Sequence, residues 1–79
     1  MRRDGQWRVR LHNDEVNSAP QVTYALNRVC GKPPEEAVEL MLEVHSRRIA
    51  EVATFAEREA AEELAVRLQR YGLHASVAR

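Results

Sequence analysis

The chain has 79 residues, twelve basic and twelve acidic, with a formal net charge of zero and a single cysteine, Cys30. A domain this small buries only about 60–65 % of the surface that its unfolded chain exposes, so it holds one modest core and no large enclosed active site. One cysteine excludes an internal disulfide framework and a thiolate zinc site. The balanced charge argues against nucleic acid as the main partner, because phosphate binding needs a net basic face.

Met1 to Gln6 reads as a short polar tail, without the apolar stretch of a signal peptide. Trp7 to Leu11 alternates apolar and basic residues with period two, which predicts a half-buried strand. His12-Asn13-Asp14-Glu15 ends it with short polar side chains that favour turns. Asn17 or Ser18 can cap the helix that follows, and Pro20 fits its first turn, where a missing N–H costs nothing. Val22, Ala25, Leu26 and Val29 recur at helical spacing until Gly31 and Pro33-Pro34 stop the helix.

A second helix starts near Pro34, with Glu35 and Glu36 at its positive end and Arg47 and Arg48 at its negative end. Ala37, Val38, Met41, Leu42 and Val44 or His45 supply a broad apolar face. Ile49 to Phe55 predicts a second strand, with Val52 in the core. Glu57 to Tyr71 is the clearest helix, striped by Ala60, Ala61, Leu64, Ala65 and Leu68 and stopped by Gly72. Leu73 to Ala78 alternates again as a final short strand. The order β-α-α-β-α-β predicts a small α+β domain over residues 7–79, an antiparallel three-stranded sheet with three helices packed on one face. No stretch approaches the roughly 20 apolar residues of a membrane span, so a cytoplasmic protein is expected.

Catalysis finds little support. Asp14, Glu15 and His45 are the only suggestive set, and no Ser or Cys has a base at a diagnostic spacing. His12, His45 and His74 are scattered, with no i, i+4 pair, so neither a metal nor another cofactor is expected. Cys30 reads as a small hydrophobe.

Asn13-Asp14 after an apolar strand, followed at fixed separation by Leu40-Met41-Leu42-Glu43-Val44-His45, resembles the ClpS adaptors of the Clp protease. The resemblance runs from Trp7 to Val77. It implies a monomeric binding module, not an enzyme. Such a module takes the N-terminal segment of a substrate polypeptide whose first residue is large and hydrophobic, and hands it to the N-terminal domain of a Clp AAA+ unfoldase. It implies that Asn13, Asp14 and His45 meet the free α-ammonium group, and that Asn17, Ala19, Val22, Ala25, Met41 and Val44 line the apolar pocket.

The chemistry is consistent with that role. An ammonium offers three donors and a positive charge, which a carboxylate, an amide oxygen and an imidazole nitrogen can meet with charge-assisted bonds.

Three departures from the family pattern stand out. Ala19 replaces the usual Met at the pocket rim, which opens the rim toward β-branched first residues. Arg48 stands near a usual Gly, so it adopts ordinary backbone angles or carries strain. The tail before the first strand is short, and Arg58 and Glu63 fall near positions that the family uses to dock its unfoldase. Two other readings stay open: a specialised N-terminal peptide binder that serves no protease, and an interaction domain like that of the ribosomal stalk protein, in which Asn13 and Asp14 would have no role.

Overall fold

The computed structural model describes residues 6–14 and 16–79; Glu15 and most of the tail lie outside the described residues. Three strands and three helices follow one another as β1 (Trp7–His12), α1 (Ala19–Arg28), α2 (Pro34–Arg47), β2 (Ile49–Phe55), α3 (Arg58–Arg70) and β3 (His74–Ala78). The sheet is antiparallel throughout, with β1 between β2 and β3. The expected fold class and element order are those observed.

Alternation along β1 sets the two faces of the sheet. Val9 and Leu11 are buried on the helix side, while Arg8, Arg10 and His12 lie on the other. Leu11 pairs with Ala50 and Ala75, both buried. Between Val9 and Arg10 the β1–β2 register slips, which leaves Val52 as an extra residue that is nevertheless fully buried. Helix α3 packs across all three strands, α2 packs on β2, and α1 packs on α2. Leu11, Leu26, Leu68, Val9 and Val52 form the centre of the core.

Local chemistry ends the helices. Ser18, not Asn17, caps α1, accepting from the Gln21 amide at 3.4 Å. Gly72 takes φ +88°, and the amides of Gly72 and Leu73 return to the carbonyls of Gln69 and Leu68 at 2.8 and 3.2 Å. This pairing closes α3 and turns the chain directly into β3. Helix α2 ends instead on Arg48 in the left-handed region, φ +73° and ψ −6°. Of the two alternatives for Arg48, the strained one is realised.

One detail of α2 differs from the sequence reading. Its buried stripe is Ala37 and Val44, with Leu40 and Met41 partly buried, whereas Val38 and Leu42 are 42 % and 56 % exposed. Ala37 and Val44 are two turns apart and share a face; Val38, Leu42 and His45 make the neighbouring stripe. Both stripes are apolar, so periodicity alone cannot rank them.

Candidate functional site

The end of β1 and the end of α2 meet. The Asn13 amide donates to the Arg48 carbonyl at 2.9 Å, which fixes the first residue after β1 against the last turn of α2. His45 lies in that turn and is exposed, and Asn13 and Asp14 are part-exposed. The loop that carries Asn13 and Asp14 therefore meets the helix terminus that carries His45, although the two are far apart in sequence.

Asp14 is also an anchor of its own loop. Its Oδ1 accepts from the backbone amides of Val16 at 2.9 Å and Asn17 at 2.8 Å. The Asn17 side chain adds bonds from Nδ2 to Oδ1 at 3.3 Å and to Oδ2 at 3.0 Å. These bonds favour the charged form. The Asn17 amide foremost, then its side chain, and after them Val16 and the charge of His74, hold the Asp14 carboxyl below its ordinary value; its slight burial works the other way. A carboxylate can accept about four bonds, so Oδ2, with one donor among the described residues, keeps capacity for another.

The expected pocket residues fall in three places. Ala19 and Met41 line an open apolar groove of about 480 Å³ between α1 and α2, together with Pro20, Thr23, Tyr24, Asn27 and Pro34. Val22, Ala25 and Val44 are buried in the core and do not line it. Asn17 is buried in the β1–α1 loop, where Nδ2 also reaches the Gly72 carbonyl at 2.8 Å. Sequence reasoning did not single out Thr23, Tyr24 or Asn27. The signal was present in the spacing Ala19, Thr23, Asn27 and Pro20, Tyr24, but polar side chains on that stripe read as plain solvent face. A depression of similar volume over α3 is lined by Glu59, Glu62, Glu63, Val66, Arg67 and Arg70, mostly charged side chains of one exposed helix surface.

The other chemically capable groups have local explanations. Cys30 is partly buried, and burial pushes its thiol up, away from the thiolate a nucleophile needs. Among the described residues no three His, Cys, Asp or Glu side chains cluster as metal ligands, and no helix is long and apolar enough to cross a membrane. His12, beside Asn13, packs against His74 with ring centroids 4.9 Å apart and planes tilted by 41°, and meets Ser76 Oγ at 2.7 Å. Burial lowers the His12 pKa first, then repulsion from His74 and Arg10. At the start of α3, Arg58 pairs with Glu62 at 2.7 Å and lies 5.3 Å from the Trp7 ring centroid.

Three comparisons with known proteins bear on this arrangement. The family described as ATP-dependent Clp protease adaptor protein ClpS matches residues 2–76. No curated protein is a match for the sequence. Among solved structures, the chain is similar to Agrobacterium tumefaciens ClpS2 bound to L-phenylalaninamide, with a TM-score of 0.89 and 24 % identity over 96 % of this chain and 98 % of that one. At that identity the likeness speaks to the fold.

Proposed function

The chain belongs to the ClpS family of ATP-dependent Clp protease adaptor proteins, and from that premise we propose that it binds the free N-terminal residue of N-degron substrates and delivers them to a Clp AAA+ unfoldase. The observation that carries this reading is the junction of Asn13 with the end of α2, which supports it by bringing the loop of Asn13 and Asp14 to the helix end that carries His45. In this reading Asp14 supplies charge, Asn13 an amide oxygen, and His45 a ring nitrogen to the three N–H bonds of an ammonium. Each bond contributes about 1.5–3 kcal/mol where water is excluded. A large apolar first side chain seats beside Ala19 and Met41, above Val22, Ala25 and Val44, and the polarizable thioether of Met41 adapts to different ring shapes. The L-phenylalaninamide bound to the similar ClpS2 is a ligand of this chemistry, an aromatic side chain beside an α-amine. The adaptor acts as a monomer, in the cytoplasm, through residues 7–79.

The test is a titration with a Leu-first or Phe-first peptide against its N-acetylated form. Acetylation removes the positive charge and two donors, so the free peptide should bind at least tenfold tighter, one charge-assisted bond's worth. Equal affinities would defeat the amine mechanism. One observation favours the second reading, a peptide binder that serves no protease: Arg58, near an expected docking position, is already paired with Glu62 and stacked on Trp7. Pull-down with a Clp unfoldase separates the two, since peptide binding without unfoldase capture supports the second.

A further inference from the structure

Asn17 is the one polar side chain in the buried set of described residues, at 9 % exposure. It does not line the groove. Its Nδ2 has two hydrogens and three acceptors in reach: Gly72 O at 2.8 Å, Asp14 Oδ2 at 3.0 Å and Asp14 Oδ1 at 3.3 Å. One hydrogen goes to Gly72 and the other is shared across the carboxylate. All three acceptors are oxygens, which settles which end of the amide faces them, since only the NH2 can donate.

The contacts divide the work. The backbone amides of Val16 and Asn17 both bind Oδ1, so by themselves they leave the carboxylate free to swing about that oxygen. The bond from Asn17 Nδ2 to Oδ2 fixes the plane. The bond to Gly72 O in turn fixes Asn17, and that carbonyl belongs to the left-handed turn that ends α3. The chain of contacts thus ties the β1–α1 loop to the α3–β3 turn.

We propose that Asn17 is a positioning residue for the amine site, clasping the Asp14 carboxylate against the α3–β3 turn so that its free Oδ2 lone pair is held ready for an incoming ammonium. This rests on the reading that Asp14 serves the amine site. The test is built so that the two can fail separately. The Asp14 carboxyl is titrated by carbon-13 NMR in the unliganded protein for the wild type, Asn17→Ala and Asn17→Ser, and the three are titrated with free and N-acetylated Leu-first peptides. His74 also acts on Asp14, and it is present alike in all three proteins. In Asn17→Ala the Asp14 midpoint should rise toward the ordinary value of about 3.9. Affinity for the free peptide should fall roughly tenfold, the loss of one charge-assisted bond, while affinity for the acetylated peptide stays constant. Ser keeps one donor and should fall between. A merely structural Asn17 would weaken both peptides alike.

An unchanged Asp14 titration in Asn17→Ala overturns the proposal, as does a shifted titration with undiminished free-peptide affinity. If the wild type itself does not distinguish free from acetylated peptide, the amine reading fails, and the Asp14 titration still decides whether Asn17 holds the carboxylate. If Asn17→Ala does not fold, Asn17→Ser carries both readouts: an intermediate shift and loss support the clasp, and wild-type values overturn it.

Discussion

Arg48 offers a clean measurement of stored backbone strain. It terminates α2 at φ +73° and ψ −6°, where its Cβ crowds the backbone, and it is exposed, so its side chain carries no packing. A left-handed conformation costs an L-residue about 1–2 kcal/mol. Arg48→Gly removes that cost but gives the unfolded chain more freedom, which offsets about 0.5–1 kcal/mol. It also removes a cation from a helix C-terminus, worth about 0.3–1 kcal/mol at an exposed site. Arg48→Ala loses the same cation while keeping Cβ, so the difference between the two variants isolates the backbone effect. Glycine should be the more stable of the pair by roughly 0.5–1 kcal/mol, or about 2–8 °C in a domain this size. The assay is thermal and urea unfolding of both variants beside the wild type. Amine-site geometry should survive, because the Arg48 carbonyl that accepts from Asn13 is backbone; peptide affinity should match wild type in Arg48→Gly. Equal stability of the Gly and Ala variants would refute the strain argument.

Two further outcomes follow from the same geometry. Ala19→Met places a long side chain at the mouth of the α1–α2 groove; if the small residue is what admits β-branched termini, Ile-first peptides should lose several-fold more affinity than Leu-first ones, about 1 kcal/mol of discrimination, and strong rejection of Ile by the wild type would sink the open-rim idea. His12 has its pKa depressed by burial, then by His74 and Arg10, and its ring Nε2 meets Ser76 Oγ. A depressed histidine contributes stability above its unfolded value of about 6.5 and loses it as pH falls through the lower folded value. Urea midpoints should therefore decline from pH 7 toward pH 5, His74→Ala should raise the His12 midpoint and flatten that decline, and an unmoved His12 ring titration in that variant would contradict the coupling.

The sequence by itself determined the elements and their order. The signals are short-range: alternation in Trp7–Leu11, Pro33-Pro34 between α1 and α2, and Gly72 after α3 each act within a turn or two of chain, and the strand and helix boundaries agree with them to one or two residues. It also brought Asn13, Asp14 and His45 forward as a set, because a motif pair at fixed separation survives translation into text. Tertiary structure alone decided what depends on distant partners. The order β2-β1-β3 and the slip that buries Val52 are choices between pairings that local propensity does not rank. Ala37 and Val44 face inward and Val38 and Leu42 outward because β2 and α1 meet α2 on one side only. Arg48 is left-handed because the chain must turn there into β2, a demand set by the sheet and not by arginine. Asn17 passed for a helix cap or pocket wall; its partner Gly72 is brought to it only when α3 folds across the sheet, and that contact makes it the clasp of Asp14.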